Sequence, residues 1–182
     1  HIKNDKTPVT NGDIEVNNII LNNLKKITPH VPIVSEETAE NKNLNLETFW
    51  LVDPIDGTYD YINNGDEFTL NAGLIINKKA VAGIIYAPAK NRMFYSYGNK
   101  LSYELKNGKE EIINNKKIDK NNIKAVSYSN NLKAEIIEIH KKLNVKEYVK
   151  MKSSLKFCVV AACEFDLYVA EPRALEWDIA AG

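Results

Sequence analysis

A mixed fold, α+β or layered α/β, is what this sequence predicts, and three observations carry the prediction. Near the N-terminus the apolar residues Val16, Ile19, Ile20, Leu24 and Ile27 recur at helical spacing. Between Phe68 and Leu105 apolar runs are separated by short polar turns, the pattern of antiparallel hairpins. Helical and strand-like stretches then mix from Ala125 to Trp177, so a pure parallel Rossmann sheet does not fit.

The elements follow in order. Ile14 to Ile27 reads as one amphipathic helix, with Asp13 standing where an N-cap would. Pro29 and Pro32 end it, and Ile33-Val34 forms a short apolar run before Ser35-Glu36-Glu37. After a polar loop, Phe49-Trp50-Leu51-Val52 lacks alternation, which predicts a strand covered on both faces. The two apolar runs of residues 68 to 87 flank Asn77-Lys78-Lys79 as a hairpin, and Met93-Phe94-Tyr95 continues the sheet. Leu101 to Leu105 and Glu111 to Ile113 form a further hairpin, because Asn107-Gly108 supplies the positive φ angles of a tight turn. Ala125-Val126-Ser127 is a short strand, Leu132 to Leu143 a helix, Val145 to Val149 a strand, Ser154 to Cys163 a buried helix and Phe165 to Val169 a strand. Trp177-Asp178 begins a last helix. No repeat or linker divides the chain, so residues 1–182 are expected to form a single domain.

Composition narrows the function classes. The 182 residues carry 24 Lys and Arg against 24 Asp and Glu, for a net charge of +0. A chain that wraps nucleic acid or lies on anionic lipid needs a basic excess, and this one has none. No apolar run reaches the ~18 residues of a membrane span and no leader opens the chain, so a cytoplasmic protein is expected, with peripheral membrane association left open. The chain starts at His1 and stops at Gly182 inside a helical phrase, which reads as the interior of a longer protein. Cys158 and Cys163 have no metal or redox spacing and read as two small buried thiols. His30 and His140 have no ligand spacing and read as surface residues.

The chemistry is carried by Asp53-Pro54-Ile55-Asp56-Gly57-Thr58, directly after the apolar run ending at Val52. A carboxylate at the end of a covered strand stands on rigid support at the edge where open sheets bind ligands. Pro54 bends the chain so that Asp53 and Asp56 can point at one spot with the Ile55 carbonyl between them. Three hard oxygens suit Mg²⁺ rather than Zn²⁺. Gly57 and Thr58 add N–H groups and a hydroxyl for a phosphate oxygen or a water. Glu36, Glu37, Asp178 and Asp13 are further acidic residues able to complete such a centre. Neither GxxxxGK[ST] nor GxGxxG occurs, which excludes a P-loop nucleotidase and a Rossmann dehydrogenase.

Taken together, the stretch Lys3 to Asp13 with Thr7-Pro8-Val9-Thr10, Ser35-Glu36-Glu37, the Asp53 to Thr58 hexapeptide and Trp177-Asp178-Ile179-Ala180-Ala181-Gly182 resemble the ordered motifs of the inositol monophosphatase superfamily of Mg²⁺-dependent, lithium-sensitive phosphatases. Within it, Ser153-Ser154-Leu155-Lys156-Phe157-Cys158 and Trp50-Leu51-Val52-Asp53 with Glu67-Phe68-Thr69-Leu70-Asn71 are more similar to bacterial 3'(2'),5'-bisphosphate nucleotidases of the CysQ type than to inositol phosphatases. Lys152 departs from the Gly usual before the Ser pair, and the stretch Val169 to Arg173 departs from a more basic, Gly-containing one.

The resemblance implies the αβαβα sandwich of that superfamily, with N- and C-terminal segments of the family missing from this chain. It implies that Glu36, Asp53, Asp56, Asp178 and the carbonyl of Ile55 hold two or three Mg²⁺ ions, with Glu37 just outside them. It makes Asp13 and Thr58 the pair that activates water, and direct in-line attack of metal-bound water the mechanism. Glu36, Asp56, Gly57, Thr58, Ser153, Ser154, Lys156 and Asp178 would contact a small phosphorylated substrate, 3'-phosphoadenosine 5'-phosphate. Its second phosphate needs a cation, Lys156 first, with Lys152 and Arg173 behind it. Tyr59 and Tyr61 are candidates to border the nucleoside. Two alternatives stay open: an inositol or sugar monophosphatase of the same superfamily, and a phospho-ligand binding protein without turnover. Oligomer formation is open as well.

Overall fold

The computed structural model describes residues 9–39, 45–98, 100–114, 116–172 and 174–182; the Lys3 to Pro8 part of the first motif and Arg173 lie outside them. The first helix, α1 (Asn11–Ile27), starts earlier than the apolar spacing indicates. Thr10 is its N-cap and Asp13 the third helical residue of a capping box, correcting the expectation that Asp13 itself caps the helix. The reason is reciprocal bonding: Asp13 N donates to Thr10 Oγ1 at 3.2 Å and Thr10 N to Asp13 Oδ2 at 2.7 Å.

Strand β1 (Ile33–Ser35) pairs parallel with β2 (Thr48–Asp56). A short helix, α2 (Thr58–Ile62), follows; at five residues it carries no periodic signal, and the sequence reading has no helix there. Next come β3 (Thr69–Ile76), β4 (Lys79–Ala87), β5 (Arg92–Ser96), β6 (Ser102–Lys106) and β7 (Lys109–Ile112), all antiparallel neighbours. Asn77 and Lys78 turn the β3–β4 hairpin at φ 50° and 63°, and Asn107 and Gly108 turn the β6–β7 hairpin at 51° and 77°. Positive φ at both central residues matches the right-handed twist of hairpin strands. The result is one sheet in sequential order β1 to β7.

The second sheet is built from β8 (Ile123–Ser127), β9 (Val145–Lys150) and β10 (Leu167–Tyr168), with β8 central and both pairings parallel. Helix α3 (Ala134–Lys142) links β8 to β9, α4 (Leu155–Ala161) links β9 to β10, and α5 (Glu176–Ile179) closes the chain. Leu155, Cys158 and Val159 of α4 are buried together with Ile85, Ala87 and Phe94 of the large sheet and Val126 of the small one. On the opposite face of the large sheet, Leu24 of α1 packs with Val52 and Ala72. With α3 against β9, the layers run α1, large sheet, α4 and α5, small sheet, α3, which is the expected αβαβα sandwich. Each fully buried aliphatic side chain contributes ~1.5–3 kcal/mol, so this double burial of the large sheet dominates the fold's stability.

Two expectations about small polar groups are corrected. His140 is buried, 6% exposed, because the last turn of α3 lays it against the Tyr148 ring, 5.7 Å between centroids. Cys163 is half-buried, since α4 ends at Ala161 and Cys163 turns the chain at φ 57°. Among the described residues no helix is long and apolar enough to cross a membrane.

Candidate active site

The carboxylates meet because β2 is irregular at its end. Asp53 pairs with Asn71 and Asp56 with Thr69, so three steps along β2 oppose two along β3. In a regular strand residues three apart point to opposite faces; one extra residue shifts the phase and brings both side chains to one side. Pro54 sits inside this bulge, where its missing N–H costs no ladder bond. Asp178 joins from the first turn of α5, and oxygens of Asp53, Asp56 and Asp178 lie within 4.8 Å of one another. Helix α5 can come this close because β3 has Gly73 beneath it; a Cβ there would meet the Ala180 backbone at 2.9 Å.

Electrostatically the cluster is undercompensated: burial and like charges outweigh the cation and donors that face it. Burial, then the charges of Asp56, Glu36 and Asp178, hold the Asp53 carboxyl well above its ordinary range. Burial pushes Asp178 up to about 6. Asp56 is also raised by burial, although Ser154 hydrogen bonds and the Lys156 charge work against it. Asp53 Oδ1 is buried with no hydrogen-bond partner. A buried carboxylate oxygen left bare among like charges costs several kcal/mol unless a cation is supplied. The all-oxygen donor set fits a hard divalent cation.

Around the cluster, α1 and α2 supply a second group. Thr58 Oγ1 lies 3.2 Å from Asp13 Oδ1 and 3.1 Å from the Ile55 carbonyl. Asp13 is 1% exposed and is held by Thr10, whose hydroxyl donates to Oδ2 at 2.5 Å. One turn on, Asn17 Oδ1 accepts the Ser35 hydroxyl at 2.6 Å, which fixes α1 against β1 and the turn that carries Glu36 and Glu37. The Glu36 charge helps to raise the Asp53 pKa, and Glu36 and Glu37 are both half-buried in this turn. Gly57 enters α2 at φ 91°, a left-handed conformation that suits glycine.

The start of α4 closes the other side. Ser154 N and Oγ donate to Asp56 Oδ2 at 2.5 and 2.6 Å, and the same hydroxyl lies 2.7 Å from the Asp178 carbonyl. Ser153, at φ 51°, offers its carbonyl to Lys156 Nζ at 2.5 Å. Lys156 is 8% exposed and its ammonium lies 5.6 Å from the Tyr168 ring centre. Asp56, Asp178, Ser153, Ser154 and Lys156 line one cavity of about 330 Å³, together with Tyr128, Phe157 and Tyr168.

Of the residues singled out in the sequence, the structure thus gathers Asp13, Glu36, Asp53, Ile55, Asp56, Gly57, Thr58, Ser153, Ser154, Lys156 and Asp178 around one cleft. Tyr59 is 71% exposed and Tyr61 packs edge-on against Phe68, and neither lines the cavity. The Lys152 ammonium lines it but is paired with Asp60. The sequence reading gave no role to Asn71, whose Nδ2 donates to Ser154 Oγ at 2.9 Å; the signal was a lone amide inside the apolar run Thr69 to Ile76. Tyr128 and Tyr168 carry no local signal, because strand tyrosines are common in packing roles.

Comparison with known proteins agrees with this geometry. The family model described as the inositol monophosphatase family matches residues 2–182. The 3'(2'),5'-bisphosphate nucleotidase CysQ of Salmonella typhimurium is 36% identical over 99% of this chain and 73% of its own length. CysQ of Buchnera aphidicola is 35% identical over 99% of this chain and 68% of its own. The crystal structure of CysQ from Bacteroides thetaiotaomicron superposes with a TM-score of 0.81 at 28% identity, covering 98% of this chain and 73% of that one. Its fold, its gathered carboxylates and these likenesses agree: the chain belongs to the inositol monophosphatase family of phosphatases.

Proposed function

We propose that this chain is a Mg²⁺-dependent 3'(2'),5'-bisphosphate nucleotidase that removes the 3'-phosphate of 3'-phosphoadenosine 5'-phosphate. The observation that carries the reading is the like-charged cluster of buried Asp53 with half-buried Asp56 and Asp178, with its bare Asp53 oxygen, beside a Thr58 hydroxyl engaged by Asp13. The names of the similar nucleotidases support the substrate class. Residues 1–182 act in this reading as one phosphatase unit.

Glu36, Asp53, Asp56, Asp178 and the Ile55 carbonyl would hold the Mg²⁺ ions, two or three of them, with Glu37 beside them. When bound, Mg²⁺ lowers the pKa of water and offsets charge on phosphoryl oxygens. The protein's own groups do the rest. Asp13 accepts the Thr58 hydroxyl proton, which turns the Thr58 oxygen toward the attacking water as acceptor. The water oxygen bonds to phosphorus in line with the departing ribose oxygen; the water's proton passes to Thr58 as the Thr58 proton passes to Asp13, and the ribose oxygen takes a proton from solvent water as its bond to phosphorus breaks. No covalent phosphoenzyme is needed. Gly57, Thr58, Ser153 and Ser154 border the reacting phosphate, and Lys156 faces the one that stays.

Phosphate release from 3'-phosphoadenosine 5'-phosphate and from inositol 1-phosphate, side by side with Mg²⁺ and with a chelator, tests the reading. Faster Mg²⁺-dependent release from the bisphosphate is expected. Preference for inositol 1-phosphate makes the protein a monophosphatase of the same family, and binding without release makes it a phospho-ligand binder.

A further inference from the structure

Asp60 ties the two sides of the cleft together. It lies in α2, two residues after Thr58, with a side chain 6% exposed. One carboxylate oxygen accepts the Glu67 N–H at 2.8 Å, and the other accepts Lys152 Nζ. Lys152 immediately precedes the Ser153-Ser154 turn whose N–H and hydroxyl hold Asp56. Its own N–H donates to Glu67 Oε2 at 3.1 Å. Two links therefore join α2 and the segment that follows it to the turn before α4, one from the Lys152 ammonium to Asp60 and one from the Lys152 main-chain N–H to Glu67. The joint has no slack, since a Cβ on Gly65 would overlap the Asp60 carboxylate. Burial raises the Asp60 carboxyl, but the Lys152 and Glu67 hydrogen bonds outweigh it and keep the group below its ordinary range.

An exposed ion pair contributes ~0–1 kcal/mol and need not lie near a site. This one has a buried carboxylate and links the two segments that carry Thr58 on one side and the Asp56–Ser154 contact on the other. We infer that the Asp60–Lys152 pair is a positioning clasp, which sets the distance between Thr58 and the Asp56 side of the cleft and so governs turnover rather than substrate affinity. This inference rests on the phosphatase reading above. The physical basis is steep: misplacing a reacting group by ~1 Å costs ~10²-fold in rate.

The test compares wild type with Lys152→Met, Lys152→Arg, Asp60→Asn and the Asp60→Asn/Lys152→Met double variant, using 3'-phosphoadenosine 5'-phosphate and Mg²⁺. Lys152→Met and Asp60→Asn should each lower kcat about tenfold with KM within about twofold, and the double variant should lose no more than either single one. Lys152→Arg should recover most of the rate, because it keeps the charge. An unchanged kcat in Lys152→Met overturns the clasp. So does a raised KM with kcat kept, which would mean that Lys152 binds substrate itself. A wild-type protein that releases no phosphate overturns the phosphatase reading instead, and amide hydrogen exchange across residues 57–62 then decides the clasp. Faster exchange in Lys152→Met, restored in Lys152→Arg, upholds it; equal rates overturn it.

Discussion

Two charge clusters, each built on one buried residue, Arg92 or Asp53, solve the same problem in opposite ways. Arg92, on β5, is matched by opposite charge: Nε meets Glu104 Oε1 at 2.6 Å, the guanidinium end meets Glu164, and the group stacks 4.8 Å from the centre of the Phe94 ring. Burial would lower its pKa, but the Glu164 and Glu104 hydrogen bonds more than reverse that and raise it. The Asp53, Asp56 and Asp178 cluster has the converse design, like charges crowded together with one oxygen bare. A charge cluster that neutralises itself holds a fold together. One that does not is strained until something cationic arrives, and that marks a site of chemistry.

The sharpest way to break this contrast is to neutralise each group and compare signs. Asp53→Asn or Asp56→Asn is expected to abolish Mg²⁺-dependent phosphate release, yet to raise the melting temperature of the metal-free protein, because a like charge is removed. Arg92→Met should do the reverse. It leaves the half-buried Glu104 without its partner, costs about 1–3 kcal/mol of stability, and spares kcat in the molecules that remain folded. Melting curves with and without Mg²⁺ check both, and a shared sign for the two groups would end the comparison.

Smaller effects sharpen it. Thr58→Ala should lower kcat about 10²-fold with little change in KM, since it touches the nucleophile rather than the charge cluster. Asp13→Asn should match it, and a double variant that loses the product of both would show that the two do not act as one unit. Lys156→Ala tests the cation whose charge opposes the Asp56 shift: KM for a 3',5'-bisphosphate should rise tenfold to a hundredfold, about the worth of a charge-assisted hydrogen bond, while a monophosphate is turned over as before. Equal KM values would take away its role toward the second phosphate.

The smallest effect belongs to His140, a third kind of buried titratable group, whose shift comes from burial. Burial lowers its pKa, and Nε2 has no hydrogen-bond partner. The unfolded chain therefore binds a proton that the native state refuses, so stability is lost as pH falls through about 6.5. In His140→Phe that acid-side loss should shrink in denaturant titrations at pH 5 and 7, and an unaltered pH dependence would count against it.

Much of this was legible along the chain. Alternation and turn residues located the hairpins from Thr69 to Ile112, because strand period and positive-φ turns are local properties. The hexapeptide from Asp53 to Thr58 announced an oxygen-rich site by residue type alone. The sequence reading missed α2, took Asp13 for a cap and put His140 on the surface. The reasons differ: Asp13 pairs with Thr10 in a local capping box that reverses their roles, α2 is too short to show a period, and the burial of His140 depends on the face of β9 under α3.

The sequence by itself determined the order of elements, the absence of a charge excess and the stock of carboxylates, since composition and short-range spacing are written in the residues. Only the tertiary structure decided how they converge. The extra residue in β2 turned Asp53 and Asp56 to one side, and Gly73 let α5 bring Asp178 in. Asn71 oriented Ser154 from β3, and Asp60 caught Lys152 across 92 residues. Register and close packing set such meetings, and neither has a local signature, because each requires two distant segments to be in place before the contact can exist.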